Sequence, residues 1–208
     1  MSLPRQDATL VVGLGNPGER YAATRHNVGA MVLDHLVAAD RGRWKSQRKT
    51  RCDIAEMRWA GHQVVLARPH SYMNESGGPV AALASFYGVP PEGIVVLHDE
   101  LDLPFATLRI KAGGGDNGHN GLKSIRRSLG SGDTVRIRIG VGRPPGRQDP
   151  ADFVLRPFST TERRDLPDLI QRAADATECV VTQGVAVAQN RYNAGPDGTD
   201  PSTKETNR

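Results

Sequence analysis

The chain has 208 residues, of which 38% are hydrophobic, 5% aromatic and 24% charged, and its formal net charge is +4. This length suits one domain with a full hydrophobic core. No apolar run approaches the roughly 20 residues of a membrane-spanning helix, so we expect a soluble protein. The two cysteines, Cys52 and Cys179, are too few and too far apart in sequence for a zinc site or a disulfide framework.

The two ends of the chain predict a cytoplasmic protein made of one domain and a tail. The first residues carry charge directly before an apolar run, and they lack the long apolar region and the cleavage site of a secretory signal. Residues 195–208 contain no large apolar side chain. We therefore predict one folded domain over residues 1–194 and a disordered tail over residues 195–208.

Short apolar runs alternate with amphipathic segments along the chain. Residues 9–13 and 94–98 have the pattern of strands that are buried on both faces. Ala60-Gly61 separates two runs with strand character, which predicts a β-hairpin. Further strands are predicted at 106–111 and 134–141, and helices from residue 26 and at 75–87, 120–129, 160–182 and 185–192. This order predicts an α/β fold, a single-domain three-layer α/β/α sandwich with a twisted mixed β-sheet.

Polar loops follow the predicted strands at 14–25, 98–104 and 113–120. Active sites in such folds gather outside the carboxyl ends of strands. His26 ends the first loop and Asp99 comes directly after the strand at 94–98, so both side chains are expected at this edge. An isolated histidine usually caps or packs, but the polar neighbours of His26 favour a cleft.

The segment Gly13-Leu-Gly-Asn-Pro-Gly18 matches the G-x-G-x-x-G pattern of dinucleotide-binding oxidoreductases. Pro17-Gly18 favours a turn where that pattern needs a helix to begin, and the helical periodicity starts only near His26. The acidic candidates for a ribose contact, Asp34 and Asp40, lie in or just after the predicted helix rather than at a strand end. We therefore expect no cofactor.

A divalent cation is an alternative use of the acidic residues Asp99, Glu100 and Asp102, because hard cations take oxygen ligands. No other group of carboxylates or histidines completes such a site, and His98 with His119 alone gives it little support. The sequence therefore predicts a metal-free site.

A glycine-dense loop over residues 113–121 opens a predicted helix, so its backbone N–H groups could meet a phosphate or an oxyanion. The alternative is a flexible solvent loop. A basic cluster usually forms a solvated face, but the one beside this loop favours a polyanionic partner. Its members are Lys111, Lys123, Arg126, Arg127, Arg136, Arg138, Arg143 and Arg147.

Asn74 stands near the start of another predicted helix, in the segment Tyr72-Met73-Asn74. An asparagine at such a place is most often an N-cap. Its amide could instead bind a peptide unit, because a carboxamide offers both a donor and an acceptor.

Taken together, the ordered motifs closely resemble those of the bacterial-type peptidyl-tRNA hydrolase family. They are GLGNPG with Tyr21, TRHNVG, RPHSYMNESG, HDELDLP, GGGDNGHNGLKS and RIRIGVGRP, and they extend from about Leu10 to Tyr192. The chain departs from the family pattern at Arg68, where lysine is expected, and at Tyr72, where phenylalanine is often seen. Asp116-Asn117 replaces a more usual His-Gly pair.

The resemblance implies hydrolysis of the ester between a peptide and the 3′ ribose of tRNA, which recycles tRNA from stalled or abandoned translation. In this family His26 would be the general base that activates water, and Asp99 would orient its imidazole. Asn16 would help to distinguish an N-blocked substrate from a free aminoacyl-tRNA.

The resemblance also implies which side chains bind the substrate. Asn74 and Asn120 would bind the peptide main chain and the 3′-terminal region, and His119 would be a secondary site residue. Tyr21, Tyr72 and Met73 would line the groove, while Arg109, Lys111 and Arg138 would contact tRNA phosphates. We expect a monomer whose partner is tRNA and which has no membrane contact.

Two further alternatives fit parts of the pattern. A non-catalytic RNA-binding relative would keep the fold without turnover, but the joint presence of His26, Asp99 and the three asparagines argues against it. A general esterase would have little use for the basic stretch between Arg109 and Arg147.

Overall fold

A mixed sheet of seven strands lies between two layers of helices in the computed structural model of the protein, which describes residues 8–193. The strand order across the sheet is β2-β3-β4-β1-β5-β7-β6. The pairs β4–β1, β1–β5 and β5–β7 are parallel, and the pairs β2–β3, β3–β4 and β6–β7 are antiparallel. The strands are β1 (Ala8–Gly13), β2 (Lys45–Gln47), β3 (Cys52–Trp59), β4 (His62–Pro69), β5 (Ile94–Glu100), β6 (Leu108–Ala112) and β7 (Val135–Gly140).

The helices divide between the two faces of the sheet, which confirms the predicted three-layer α/β/α sandwich. One face packs against α2 and α6, and the other packs against α3 and α4. The helices are α1 (Glu19–Ala22), α2 (Val28–Ala39), α3 (Gly77–Tyr87), α4 (Asn120–Leu129), α5 (Pro150–Val154), α6 (Glu162–Gln183) and α7 (Val185–Tyr192). No helix within residues 8–193 combines the length and the hydropathy needed to cross a membrane.

The central strands bring the predicted polar loops to one edge of the sheet. Leu10 and Val12 of β1 face one core and Val11 faces the other, as expected for a parallel strand buried on both sides. At the carboxyl end of β1, the Leu14 N–H donates to the Leu97 carbonyl of β5 at 3.0 Å. The loops that follow β1 and β5 therefore begin side by side.

Strand β5 is longer than the apolar run predicts. It continues past His98 through Asp99 and Glu100 because β7 pairs with both of them, and every residue of the strand is buried. Asp99 is therefore the second-last residue of strand β5 and does not lie in the loop after the strand. Its carboxylate is fixed by the strand backbone.

Two predicted helices begin later than their sequence patterns indicate, because a 3₁₀ turn precedes each of them. Arg25–Asn27 forms such a turn before α2, and Met73–Glu75 forms another shortly before α3. Strand β2 and the short helices α1 and α5 were not predicted. Each spans five residues or fewer, too short for a periodic pattern. The predicted tail at 195–208 and the domain boundary at 194 lie outside the described residues.

We predict that α2 tolerates no side chain at Gly29. A Cβ there would lie 2.3 Å from the Leu97 carbonyl oxygen and 2.9 Å from the Leu14 nitrogen, both of them backbone atoms. Gly29→Ala should lower the free energy of unfolding by about 2–3 kcal/mol, measured by urea denaturation.

Gly78 on the exposed side of α3 is the matched control. A Cβ at this position meets only the end of the Arg51 side chain, at 3.4 Å. Gly78→Ala should therefore raise the free energy of unfolding by about 0.5–1 kcal/mol. Equal effects of the two substitutions would show that α2 does not pack on the sheet as described.

Candidate active site

His26 and Asp99 meet at the carboxyl edge of the sheet. His26 Nδ1 lies 2.9 Å from Asp99 Oδ1, and the His26 side chain is 12% exposed whereas that of Asp99 is 3% exposed. A carboxylate accepts, so Nδ1 carries the proton and Nε2 keeps its lone pair. This is the tautomer that a general base needs.

His119 is the second histidine on the same carboxylate oxygen. Its Nε2 lies 2.9 Å from Asp99 Oδ1, while its Nδ1 accepts the backbone N–H groups of Gly121 and Leu122 at 3.1 and 3.3 Å. Because Nδ1 accepts, the proton of His119 is on Nε2 and is donated to Asp99. The same imidazole caps the N-terminus of α4.

Asp99 is the acceptor on which both histidines depend. Burial would raise the pKa of Asp99, but electrostatic attraction and hydrogen bonds from His26 and His119 outweigh burial and lower it below the ordinary value. The carboxylate therefore stays ionised at neutral pH.

His98 lies beneath this cluster on β5. Its Nδ1 donates to the Asp99 backbone carbonyl at 2.7 Å, and its ring packs edge-on against His119 with centroids 4.9 Å apart. Burial, together with repulsion from His119, lowers the pKa of His98 to about 3. His98 is thus a neutral packing residue at neutral pH.

Asn16 connects the first loop to the segment after β4. Its Oδ1 accepts the Met73 N–H at 2.8 Å, and its backbone forms two hydrogen bonds of 2.9 Å with the Asn27 side chain. Within residues 8–193 the Asn16 Nδ2 has no partner, so this donor is available to a ligand. Asn27 therefore holds the loop rather than capping α2.

The site opens into a groove of about 800 Å³. Of the residues predicted for the site, it is lined by Asn16, His26, Tyr72, Met73, Asn74, Asp99, His119 and Asn120. Asn74 and Asn120 are exposed, and Asn74 lies inside a 3₁₀ turn, so the N-cap interpretation of Asn74 is wrong. Tyr21 is not among the lining residues and instead packs edge-on against Tyr72 at 6.4 Å.

The segment around α5 forms a wall of the groove that the sequence interpretation missed. Asp149, Pro150, Ala151, Val154 and Leu155 all line the groove. A signal for this helix exists in the sequence, because Asp149 is an N-cap followed by proline at the first helical position. A helix of five residues has no apolar period to support that signal.

A metal ion is the alternative occupant of the histidine–aspartate cluster, since the ligand atoms of His26, Asp99 and His119 lie within 4.8 Å of one another. The hydrogen bonds disfavour it. His119 Nδ1 accepts two N–H groups, so a metal on Nε2 would require a fully deprotonated imidazole ring. Glu100 and Asp102, the other carboxylates of the metal alternative considered from the sequence, are paired with Arg138 and Arg143, respectively.

The basic side chains follow two different patterns. Arg136 is buried and donates to the carbonyls of Gly114, Gly115 and Gly132, which holds the glycine-dense loop. Arg136 also lines a smaller cavity of about 160 Å³ beside the groove, together with Lys111 and Arg138, and there Arg138 is paired with Glu100 at 2.9 Å.

Arg109 lies on β6, directly opposite Arg138 on β7, and is half-buried. The antiparallel pairing of these two strands therefore brings the three predicted phosphate contacts, Arg109, Lys111 and Arg138, to one part of the sheet.

A model of the peptidyl-tRNA hydrolase family matches residues 10–202 of the chain. The chain belongs to the peptidyl-tRNA hydrolase family. It is 59% identical over 185 residues to a peptidyl-tRNA hydrolase of Frankia casuarinae, covering 89% of this chain and 93% of that protein. A homologue from Mycobacterium avium is 55% identical over 185 residues, covering 89% of this chain and 97% of the homologue.

The fold agrees with solved members of the family. A crystal structure of peptidyl-tRNA hydrolase from Acinetobacter baumannii is 34% identical, with a TM-score of 0.84, covering 93% of this chain and 97% of that one. The predicted resemblance and fold class are therefore confirmed.

We predict that His98 makes the protein less stable in acid. The unfolded chain binds a proton near pH 6.5 that folded His98 takes up only near pH 3, so stability falls as the pH drops through this window. His98→Asn keeps a donor for the Asp99 carbonyl and should remove up to about 1.4 kcal/mol per pH unit of this slope.

Urea unfolding between pH 7 and pH 4 measures the effect. His62 is exposed at the start of β4, so His62→Asn should keep the wild-type slope and serves as the control. Equal slopes for wild type and His98→Asn would mean that His98 is protonated in the folded protein.

Proposed function

We propose that the protein hydrolyses the ester that joins a peptide, or an N-blocked amino acid, to the 3′ ribose of tRNA, which recycles tRNA from stalled or abandoned translation. The observation that carries the proposal is the pair of histidines on Asp99, which leaves His26 Nε2 as an unprotonated acceptor in the groove. Membership of the peptidyl-tRNA hydrolase family supports the same reaction.

His26 acts as the general base. Its Nε2 takes a proton from water while the water oxygen attacks the ester carbonyl carbon, and the bond to the ribose oxygen then breaks. The imidazolium gives its proton to the leaving ribose oxygen, so the products are a free ribose hydroxyl and a peptide carboxylic acid, which ionises to the carboxylate in water. Asp99 stabilises the imidazolium that forms. Proton transfer to a positioned base such as His26 contributes roughly 10²- to 10⁴-fold to the rate.

His119 supports this step without meeting the water. It donates to the same oxygen of Asp99 as His26 does, and so it is a second donor that holds the carboxylate in place. Because its own Nδ1 is fixed by α4, its ring cannot turn to follow Asp99.

The asparagines bind the substrate as neutral groups. The free Nδ2 of Asn16 is a donor for the ester carbonyl or the neighbouring peptide unit, and Asn74 and Asn120 offer exposed amides along the groove. Neutral amides suit a substrate whose amine is acylated, whereas a free ammonium would lose hydration without gaining a counter-charge.

The cavity beside the groove suits the tRNA backbone. Lys111, Arg136 and Arg138 outnumber the single carboxylate of Glu100 there, so the cavity has an excess of positive charge. We assign phosphate contacts to Lys111, Arg138 and the adjacent Arg109, because backbone contacts accept many tRNA sequences.

The proposal includes a monomer that acts on tRNA in the cytoplasm. No observation favours the non-catalytic relative or the general esterase. The first would need no free base on His26, and the second would need no excess of positive charge beside the groove.

The decisive test is hydrolysis of N-acetyl-aminoacyl-tRNA by wild type and by His26→Ala. We expect kcat to fall by roughly 10²- to 10⁴-fold in the variant, because water loses its base. The matched control, His62→Ala, removes an exposed histidine at the opposite end of the sheet and should keep the wild-type rate.

The same assay in EDTA separates the mechanism from the metal alternative. Wild-type activity should persist, since hydrogen bonds occupy the donor set of the cluster. Full activity of His26→Ala would overturn the general-base proposal, and loss of wild-type activity in EDTA would favour a metal.

A second prediction concerns the phosphate contacts. Arg138→Ala should raise KM and reduce the slope of log KM against log salt by about 1, with little change in kcat. Because Arg138→Ala also removes the ion-pair partner of Glu100, we add Lys111→Gln as a second variant, since Lys111 forms no ion pair within residues 8–193.

Lys45→Gln on β2, at the far edge of the sheet, is the control for this series and should leave KM and its salt dependence unchanged. An unchanged salt slope in both Lys111→Gln and Arg138→Ala would remove this cavity from the tRNA interface.

A further inference from the structure

A buried arginine stands directly before His26 in the chain. Arg25 is 5% exposed, and its guanidinium donates to the carbonyls of Pro157 and Arg156 at 2.8 and 3.2 Å. The other terminal nitrogen is 2.6 Å from the Glu162 carboxylate at the start of α6. One side chain therefore connects the turn of His26 to two later segments.

Two aromatic rings and the backbone complete this connection. The guanidinium carbon of Arg25 lies 4.1 Å from the ring centre of Phe153 in α5 and 5.3 Å from that of Phe158. The Arg25 N–H donates to the Arg156 carbonyl at 3.2 Å, and Thr24 forms an isolated β-bridge with Pro157. The contacts span α5, the turn after it and the first turn of α6.

The contacts of Arg25 lie between the groove wall formed by α5 and the 3₁₀ turn that carries His26. Helix α5 presents Pro150, Ala151 and Val154 to the groove, while Phe153 of the same helix packs on Arg25. Arg25 and His26 are neighbours in one 3₁₀ turn. Any shift of α5 against Arg25 therefore moves the groove wall relative to the His26 imidazole.

The chemistry of the side chain also matters. Glu162 accepts the Ser159 N–H at 2.6 Å in addition to Arg25, so a backbone N–H also holds the carboxylate that faces the guanidinium. A planar guanidinium can reach two carbonyls and a carboxylate while it stacks on a ring, which an ammonium cannot do. A buried charge pair also contributes little net stability compared with apolar packing, so stability alone does not explain this arginine.

We propose that Arg25 is a positioning residue for hydrolysis, which together with Glu162 holds α5 against the turn of His26 and sets the distance between the base and the groove wall. The inference rests on the proposed function. It assigns no contact between Arg25 and the substrate.

Arg25→Lys tests the proposal in the full-length protein with N-acetyl-aminoacyl-tRNA. We expect kcat to fall by about 10- to 100-fold, because small misplacements of a catalytic group have effects of this size. KM should change much less, since the tRNA contacts lie on β6 and β7. Arg25→Lys should also lower Tm, and in a His26→Ala background it should lower Tm by a similar amount while leaving the residual rate unchanged.

Glu162→Gln provides a second variant if Arg25→Lys folds poorly. It keeps an acceptor for Arg25 and removes the charge, so kcat should fall by less than in Arg25→Lys. The kcat of the double variant Arg25→Lys/Glu162→Gln should be no lower than that of Arg25→Lys alone, because both substitutions affect one interaction. Tyr87→Phe, which removes a hydrogen bond to Glu56 distant from the groove, is the control for a loss of stability without a loss of kcat.

The outcomes distinguish this inference from the proposed function. Wild-type kcat in folded Arg25→Lys and Glu162→Gln would overturn the positioning role, even where Tm falls. An equal loss of residual rate in the His26→Ala background would also overturn it, because the effect would not pass through His26. If His26→Ala itself is fully active, the proposed function fails instead.

Discussion

The structure of the site depends on one carboxylate oxygen that accepts two imidazole N–H groups. Asp99 Oδ1 is buried at the end of β5, and its hydrogen bonds to His26 and His119 fix the tautomer of both rings. The carboxylate is ionised because the two donors outweigh its burial. With only one donor, the Asp99 carboxylate would be held less firmly. His119 therefore helps to fix the position of His26 through Asp99, although the two histidines share no hydrogen bond.

The layers of the fold and the central residues of the site can be predicted because they depend on patterns within short segments of the sequence. Buried parallel strands have uninterrupted apolar runs, and their carboxyl ends must share an edge, which is enough to bring His26 near Asp99. The order of motifs identifies the family. The hydrogen bonds between the two residues depend on the 3₁₀ turn before α2 and on the extension of β5, which no periodic pattern indicates.

The parts that could not be predicted depend on contacts between distant segments. The wall formed by α5 is five residues long and lies against Arg25 through contacts that span about 130 positions of sequence. The separate roles of the basic residues could not be predicted for the same reason. Arg136 and Arg138 are neighbours on one face of β7 and line the same cavity, yet the first donates to the carbonyls of a loop and the second pairs with Glu100, since their positions relative to the loop differ.

The pairing of β5 with β7 restricts how this protein can change over evolutionary time. His98 and Glu100 lie opposite Arg138 and Gly140, and Asp99 between them points to the other side of the strand. Because side chains alternate, deleting one residue of β5 before Asp99 would place Glu100, the counter-ion of Arg138, at the position of Asp99, and inserting or deleting one residue in β7 would turn Arg138 away from Glu100. Length variation among descendants of this chain should therefore accumulate in the loops and be absent from these two strands.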